Sequence, residues 1–207
     1  MYRPKAFAVD EVEVLHAAIR ARVLATLAVV DDEKVQLAYA PVVVDPCAPF
    51  GCLRFHLARQ NPVANLLDGA KVRVSFLGPD GYVSPDWYAG EGFVPTWNYI
   101  AIEGEGIARR LEGEACEAAL AELSAQQEAR LAPKPPWTLE KLTATKRRQL
   151  LEAISVFALP LSRLEGKFKL SQDKSVTDRN GLVRALKSLQ DPDAMSLARA
   201  MDAQGSD

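Results

Sequence analysis

The chain has 207 residues, 48% of them hydrophobic and 25% charged, and its formal net charge at pH 7 is −2. This composition is typical of a globular domain, and its mildly acidic balance does not favour a nucleic-acid-binding protein. The N-terminal residues MYRPKAFAVDEVE lack the apolar core of a signal peptide, and no run of about 18 apolar residues exists that could form a membrane-spanning helix. We therefore expect a soluble, cytoplasmic protein without a membrane anchor.

The few cysteines and histidines predict neither a disulfide framework nor a metal site. The three cysteines are an odd number without framework spacing, which favours free thiols. Cys47 and Cys52 lack a second pair of cysteines, and the chain has only two histidines, so a zinc site is not expected. Glycine-rich nucleotide loops and the common hydrolase motifs are absent from the sequence, so no catalytic residue is assigned.

Hydrophobic patterns in the first half of the chain predict one helix and four strands. Apolar residues recur at helical spacing over 10–21. A second, later helix is predicted to begin at Asn61-Pro62, with asparagine as its cap and proline at its first position. The predicted strands cover 23–30, 35–44, 53–57 and 71–77, and the first two form a hairpin around 31–34.

The second half begins with a long loop, 78–95, that is rich in glycine, proline and aromatic residues, as binding loops often are. Residues 190–207 are predicted to form a loosely ordered tail. The strands predicted between them cover 96–109 and 156–164, and the predicted helices cover 112–130, a stretch from the cap Thr138 to 154, and 177–189 after the cap Ser175.

These elements predict a mainly β protein with helices. Residues 1–189 are expected to form a single domain with a helical insertion at about 112–154. Mostly antiparallel strands with inserted helices favour a small β-barrel with helical additions. A chain of this length can bury a sizeable core without disulfides.

The stretch FHLARQNP at 55–62 joins a predicted strand to a predicted helix. A helix start offers free backbone N–H groups and the positive end of the helix dipole. Arg59 lies just before that start, and His56 lies on the edge of the strand, so the turn can hold a phosphate group. An ordinary connection with a solvated arginine explains the pattern equally well, and the residues alone leave both interpretations open.

Two further stretches have the same ambiguity. Trp97 and Tyr99 share one face of a predicted strand, where aromatic side chains either pack in the core or stack on a cofactor. In GKFKLSQ at 166–172, Lys167 and Lys169 point to one side of an extended chain and Phe168 to the other. By itself this pattern is typical of a solvated strand end.

Five motifs occur together in an order that is typical of one family. They are Met1-Tyr-x-Pro4, FHLARQNP at 55–62, GPDGYVSPDWY at 78–88, VPTWNY at 94–99 and EGKFKLSQDKS at 165–175, and Asp178-Arg-x-Gly181 follows them. In these motifs the chain resembles the PaiB-like FMN-binding negative transcriptional regulators. That family is a branch of the flavin split-barrel superfamily, which includes pyridoxamine-phosphate oxidase-like proteins. The resemblance covers roughly residues 1–189.

The resemblance implies a six-stranded split β-barrel, a homodimer, and FMN held in a cleft at the subunit interface. It implies that the turn after the third strand binds the phosphate, through His56, Arg59 and Asn61. Thr26 on the first barrel strand would lie beside the isoalloxazine ring. The other cofactor-binding residues that the resemblance implies are Trp97, Asn98, Lys167, Lys169, Ser171 and Gln172.

The chain departs from the family pattern at two positions. Tyr39 precedes Ala40-Pro41 where the family commonly has a histidine, and Glu103 stands where a second histidine is usual. If the family uses those histidines to contact a ligand or a metal, this chain does not have the same side chains for that contact.

The resemblance implies two functions of different classes. The first is a homodimeric, FMN-binding repressor of transcription, and the second is a flavin-dependent oxidoreductase of unknown substrate. A flavin storage module is a third interpretation. The one dense basic cluster could contact DNA or be a solvated helix face; its members are Lys141, Lys146, Arg147 and Arg148.

Overall fold

The computed structural model describes residues 1–204, and within them the chain is mainly β sheet with helices, as the sequence predicts. Six strands have seven residues or more, and two others are short. The strands are Ala8–Val9 (β1), Leu24–Asp31 (β2), Lys34–Asp45 (β3), Cys52–Ala58 (β4), Lys71–Val83 (β5), Thr96–Ile107 (β6), Arg109–Leu111 (β7) and Ile154–Lys169 (β8). The α-helices are Val12–Arg22 (α1), Glu114–Ala129 (α2), Ala144–Glu152 (α3), Val176–Ser188 (α4) and Pro192–Ala203 (α5).

The chain divides into two compact units, each built from separate stretches of sequence. Unit 1 comprises Met1–Ala18, Phe76–Glu103 and the described residues from Glu165 onward. Unit 2 comprises Ile19–Ser75 and Gly104–Leu164. The single domain predicted for 1–189 stays a prediction.

The sheet of unit 2 is antiparallel and contains the predicted hairpin. β2 pairs with β3, with Thr26 opposite Tyr39, and on its other side pairs with β5, with Thr26 opposite Ser75. β3 continues to β4, β4 pairs with β8, and β7 lies on the other edge of β8. Alternate residues of these strands point inward, as in β4, where Leu53, Phe55 and Leu57 are buried.

The core of unit 2 includes the stacked rings of Phe55 and Phe157, whose centroids lie 5.6 Å apart. Both side chains are at most 2% exposed. Burial of a phenylalanine of this kind stabilises a fold by about 1.5–3 kcal/mol. The two residues lie directly opposite each other on β4 and β8, so their packing stabilises the register of this strand pair. The turn that follows β4 is positioned by that register.

The helices α2 and α3 of unit 2 lie within the segment 112–154, for which the sequence predicts a helical insertion. Its second helix is shorter than expected and begins after Thr143, whose hydroxyl accepts a hydrogen bond from the Lys146 backbone N–H. The prediction that Thr138 caps this helix was wrong, because Thr138 precedes only a single 3₁₀ turn and its side chain makes no capping bond. Arg54 of β4 ties α2 to the sheet through ion pairs with Asp45 and Glu122.

The helix predicted at Asn61-Pro62 is only a four-residue 3₁₀ turn, Pro62–Asn65. The capping prediction itself is confirmed, because the Asn61 side-chain oxygen accepts a hydrogen bond from the Val63 backbone N–H at 3.0 Å. A short turn has little dipole, so a phosphate near this turn depends on side-chain charge rather than on a helix end.

In unit 1 the strand β5 continues through the first part of the segment predicted as a loop, up to Val83. Gly78 makes this possible, because a Cβ atom there would lie 2.8 Å from the Cβ of Ile100. Only glycine therefore permits this close approach of the two strands. β1, which the sequence did not predict, pairs with β8 of the same unit, with Val9 opposite Gly166.

The C-terminal part of unit 1 is more ordered than predicted. Ser175 caps α4 as expected, and its hydroxyl accepts a hydrogen bond from the Asp178 backbone N–H. The loosely ordered tail predicted for 190–207 is instead the helix α5 over Pro192–Ala203, capped by Asp191. Its inward residues are buried, and residues 205–207 lie outside the described part of the chain. Those inward residues are Ala194, Leu197, Ala198 and Met201.

Candidate functional site

The turn after β4 in unit 2 holds three of the predicted phosphate-binding residues. His56 lies on the outward face of β4 and is half-buried, and this burial lowers the pKa of its imidazole, so the ring is neutral at pH 7. The side-chain carbonyl oxygen of Asn61 already accepts a hydrogen bond from the Val63 backbone N–H, which caps the following turn. Arg59 is exposed, and it is the one fixed cation that this turn offers to an anion.

Arg59 lies at a cavity of about 390 Å³ in unit 2. Its guanidinium donates a hydrogen bond to the Ile154 carbonyl at 3.1 Å, and its backbone N–H bonds to the Ala153 carbonyl at 2.8 Å. The other lining residues include Arg110 from β7 and Arg148 from α3. We call this space, with its three guanidinium groups of Arg59, Arg110 and Arg148, the arginine cavity.

Arg110 is held in place by two hydrogen bonds. Its guanidinium donates to the Ser155 hydroxyl at 2.7 Å and to the Ala64 carbonyl at 3.1 Å, and it lies 5.2 Å from the centre of the Phe157 ring. Arg110 was not predicted from the sequence, because its place depends on its pairing with Phe157 across β7 and β8. No local motif marks it.

The arginine cavity also contains groups of other charge. Two carboxylates, Glu112 and Glu152, line it, so the formal charge of its lining is +1. The Cys116 thiol donates to the Leu111 carbonyl at 2.8 Å, and burial followed by the nearby Glu112 charge raises its pKa. The thiol is therefore protonated at neutral pH and adds no negative charge.

Thr26 also belongs to unit 2 and is half-buried on β2. Its Cα partners are Tyr39 on β3 and Ser75 on β5, so its side chain shares their face of the sheet. Tyr39, at the position of a usual family histidine, is largely exposed on this face. The role of Thr26 beside a flavin ring stays a prediction.

In unit 1 the structure brings Asn98 and Ser171 together. The Asn98 amide donates to the Ser171 hydroxyl at 2.9 Å, and both side chains are almost fully buried. The Tyr88 hydroxyl lies 3.4 Å from the same serine oxygen. Ser171 has a left-handed φ of 58°, a conformation that costs energy in a residue with a side chain, and the buried hydrogen bonds compensate for it.

The two lysines of GKFKLSQ make contacts within unit 1 and are not a solvated strand end. The Lys167 ammonium is buried and lies 5.1 Å from the ring centre of Tyr99 and 5.5 Å from that of Tyr2. Lys169 donates to the Thr96 hydroxyl at 2.6 Å. Gln172 folds back, donating to the Phe168 carbonyl at 2.6 Å, so its amide supports the backbone.

Trp97 in unit 1 is half-exposed rather than part of the core. Its indole N–H donates to the Asp80 carboxylate at 2.9 Å, and Tyr82 meets its ring edge-on at a centroid distance of 6.2 Å. A ring held in this way on the surface can contact a flat ligand. Its assignment to the cofactor, like those of the other unit 1 residues, stays a prediction.

Residues 1–204 contain neither a helix suited to cross a membrane nor a cluster of metal ligands. No helix in this range combines the length and the apolar character that crossing a membrane requires. Nor do the described side chains contain a group of three or more histidines, cysteines, aspartates and glutamates arranged to hold a metal ion.

The chain is similar to one described family and to individual proteins of other organisms. Residues 1–163 match the family described as "Putative FMN-binding domain". The chain is 27% identical over 203 residues to the protease synthase and sporulation protein PAI 2 of Bacillus subtilis, covering 98% of this chain and 97% of that protein. It is 31% identical over 180 residues to an uncharacterized protein of Emericella nidulans, with 72% of each chain covered.

Solved structures with a similar fold include two flavoproteins. The FAD and heme binding protein from Mycobacterium smegmatis aligns with a TM-score of 0.61 at 19% identity, over 84% of this chain and 78% of that one. The flavocytochrome Anf3 from Azotobacter vinelandii aligns with a TM-score of 0.58 at 18% identity, over 81% and 72%. At these identities the likeness shows the fold alone. Since the family match covers residues 1–163, the chain belongs to the family of FMN-binding domains, as its five motifs predict.

Proposed function

We propose that the chain is an FMN-binding, homodimeric negative regulator of transcription of the PaiB-like kind. The observation that carries the proposal is the position of Arg59. The family resemblance assigns this residue to the FMN phosphate, and in unit 2 it lines a cavity together with two further guanidinium groups. The full-length similarity to PAI 2 supports the same family assignment.

The residues of the arginine cavity fit the phosphate group of FMN. Guanidinium groups bind phosphate through paired, charge-assisted hydrogen bonds, and Arg110 is already oriented by Ser155 and Ala64. His56, neutral at pH 7, can donate or accept a hydrogen bond next to this turn without adding charge. A bound flavin would supply hydride-transfer chemistry, while these side chains bind and orient it.

The homodimer is supported by an exposed apolar face on the β2–β3 hairpin of unit 2. Five of its side chains are each more than half exposed, on the side of the hairpin that points away from the core. They are Leu24, Val30, Val35, Leu37 and Tyr39. We call this surface the hairpin face. A contiguous apolar surface of this kind is typical of a subunit interface, and its occupant in our proposal is a second copy of the chain.

The Leu37→Asp substitution tests the dimer. A carboxylate buried in the hairpin face would have no partner, so we expect the dimer to dissociate about tenfold or more readily. Light scattering coupled to gel filtration over a dilution series measures this change. The control is Val176→Asp, an exposed valine on α4 of unit 1. A Leu37→Asp variant that dimerises like this control would rule out the hairpin face.

The regulatory role needs contact with DNA, for which the sequence offers only the basic cluster. Two of its members are engaged within unit 2: Arg147 pairs with Glu117 at 2.7 Å, and Lys141 donates to the Pro136 carbonyl at 3.1 Å. Lys146 and Arg148 on α3 are exposed. The structure therefore leaves a smaller cationic surface than the sequence suggested.

A gel-shift assay with the DNA upstream of the chain's own gene tests the regulatory role. We expect a complex at low salt whose affinity falls steeply as salt rises, because phosphate contacts release counterions. The assay is run with and without added FMN to detect any gating by the cofactor. Absence of a complex even at the lowest salt would contradict direct repression.

A further inference from the structure

The connection between β3 and β4 in unit 2 carries two of the three cysteines of the chain, Cys47 and Cys52. Only four residues separate them, and both thiols are free. Cys47 is exposed, whereas Cys52, the first residue of β4, is half-buried. An oxidant in the solvent can therefore reach the first thiol directly, while the second lies at the end of a strand that fixes its backbone.

Backbone hydrogen bonds fold this connection back on itself. The Cys47 N–H donates to the Asp45 carbonyl at 2.9 Å, which closes a three-residue turn. The Gly51 N–H donates to the Cys47 carbonyl at 2.6 Å, and the Gly51 carbonyl accepts from the Leu161 N–H of β8 at 2.9 Å. Cys47 thus lies beside the residue that precedes Cys52, and that residue is anchored to the sheet.

The register of the two strands also brings the cysteines together. Cys52 lies opposite Asp45, and directly opposed residues of antiparallel strands have Cα atoms roughly 4.5–5.5 Å apart. The three-residue turn returns Cys47 toward the same Asp45, and a disulfide joins Cα atoms roughly 4.4–6.8 Å apart. Burial, and then the nearby Cys47, raise the pKa of the Cys52 thiol, so the two sulfur atoms interact.

We propose that Cys47 and Cys52 are a site of reversible oxidation, at which hydrogen peroxide converts the two thiols into an intramolecular disulfide. Any movement that closes the bond falls on residues 46–49, which are exposed and belong to no strand, so the sheet is not disturbed. The site depends neither on FMN nor on the regulatory role proposed above.

The oxidation proceeds in two steps. The Cys47 sulfur, as a thiolate, attacks one oxygen of hydrogen peroxide, the O–O bond breaks, and the other oxygen leaves as hydroxide, which becomes water with the proton of the Cys47 thiol. The Cys52 sulfur then attacks the sulfur of the Cys47 sulfenic acid, the S–O bond breaks, and a second water leaves with the Cys52 proton. Two thiols lose two electrons in all, and one peroxide is reduced to two water molecules.

Cys116 provides an internal comparison within unit 2. It is half-buried on α2, and its thiol donates to the Leu111 carbonyl at 2.8 Å. Burial raises its pKa, which lowers the fraction of reactive thiolate. Since the two other cysteines pair with each other, Cys116 is left without a second thiol, and we expect it to stay reduced when the pair is oxidised.

The test is peroxide treatment of the purified full chain, followed by alkylation of the remaining thiols in denaturant and mass spectrometry. Trypsin releases Cys47 and Cys52 in one peptide, 35–54, and Cys116 in another, 111–130. We expect peptide 35–54 without alkyl groups and two hydrogen atoms lighter than its dithiol form. It should appear about tenfold or more faster than oxidised Cys116, and dithiothreitol should restore both alkylation sites.

The matched control is Cys52→Ser, which nearly keeps the size of the side chain but removes the second thiol. In this variant we expect Cys47 to stop at the sulfenic acid, which dimedone traps, and a thermal melt checks that the variant is folded. The proposal is wrong if peptide 35–54 of the parent chain keeps both alkyl groups, or if Cys47 bonds instead to Cys47 of a second copy. The parent chain alone decides these outcomes, so they do not depend on the folding of the variant.

Discussion

The Arg59→Ala variant should bind FMN about 1.5–3 kcal/mol more weakly than the parent chain, roughly a 10- to 150-fold rise in Kd. The expected loss is that of a charge-assisted hydrogen bond to the phosphate. Quenching of flavin fluorescence during titration of the protein into FMN measures it. Riboflavin should bind both proteins alike, because it lacks the group that Arg59 would hold.

Arg59 is exposed, and its side chain makes one hydrogen bond, to the Ile154 carbonyl, so its truncation should leave the fold intact. The control is Arg109→Ala, which removes an arginine of the same unit outside the cavity. An FMN affinity of Arg59→Ala that matches the control would refute the assignment of Arg59 to the phosphate. A loss that is as large for riboflavin as for FMN would point to a disturbed ring site instead.

Arg110→Met should destabilise the fold by about 2–4 kcal/mol. Methionine keeps the apolar length of the side chain but removes both donors, so the Ala64 carbonyl loses its guanidinium partner in the interior. The Ser155 hydroxyl, only 3% exposed, loses its partner as well, and so does the face of the Phe157 ring. Urea unfolding followed by circular dichroism gives the change in the free energy of unfolding.

The matched control for this prediction is Arg109→Met, on the same strand but exposed. A surface change of this kind is expected to stay within about 0.5 kcal/mol. If Arg110→Met were equally mild, the Arg110 side chain would be a surface group with a purely electrostatic role.

Much of the strand pattern could be predicted because it is local. The hairpin of β2 and β3 is rich in β-branched residues that alternate, and the structure has it within two residues of the predicted bounds. β5 was predicted too short, because Gly78-Pro-Asp-Gly81 has the composition of a turn. The strand continues there because Gly78 lets Ile100 approach, a condition that lies in a distant part of the sequence.

The helix α5 could have been predicted from the spacing of its apolar residues, but the polar composition of the segment favoured a disordered tail. Ala194, Leu197, Ala198 and Met201 recur at the spacing of one helix face, and Asp191-Pro192 is a good helix start. The surrounding alanines, serines and aspartates suggested disorder instead. Packing of α5 against α4, which decides the outcome, is a tertiary effect.

The candidate site was predictable only in part. Arg59 could be found because it stands in a recognisable motif. Arg110 could not, since strand register alone brings it beside Ser155, and Arg148 was read as one of four basic residues on a helix. For the lysines of GKFKLSQ, the sequence pattern is typical of solvent-exposed side chains. In the structure Lys167 is buried instead, because the rings of Tyr2 and Tyr99 lie over its ammonium group.

The strand β8 runs from Ile154 to Lys169, while the family match ends at residue 163, inside that strand. The segment covered by the family match therefore ends before the residues from Glu165 onward that complete unit 1. Asn98, inside the matched segment, is hydrogen-bonded to Ser171, which lies outside it. A domain boundary placed at the end of the family match would separate these two buried partners and divide a compact unit.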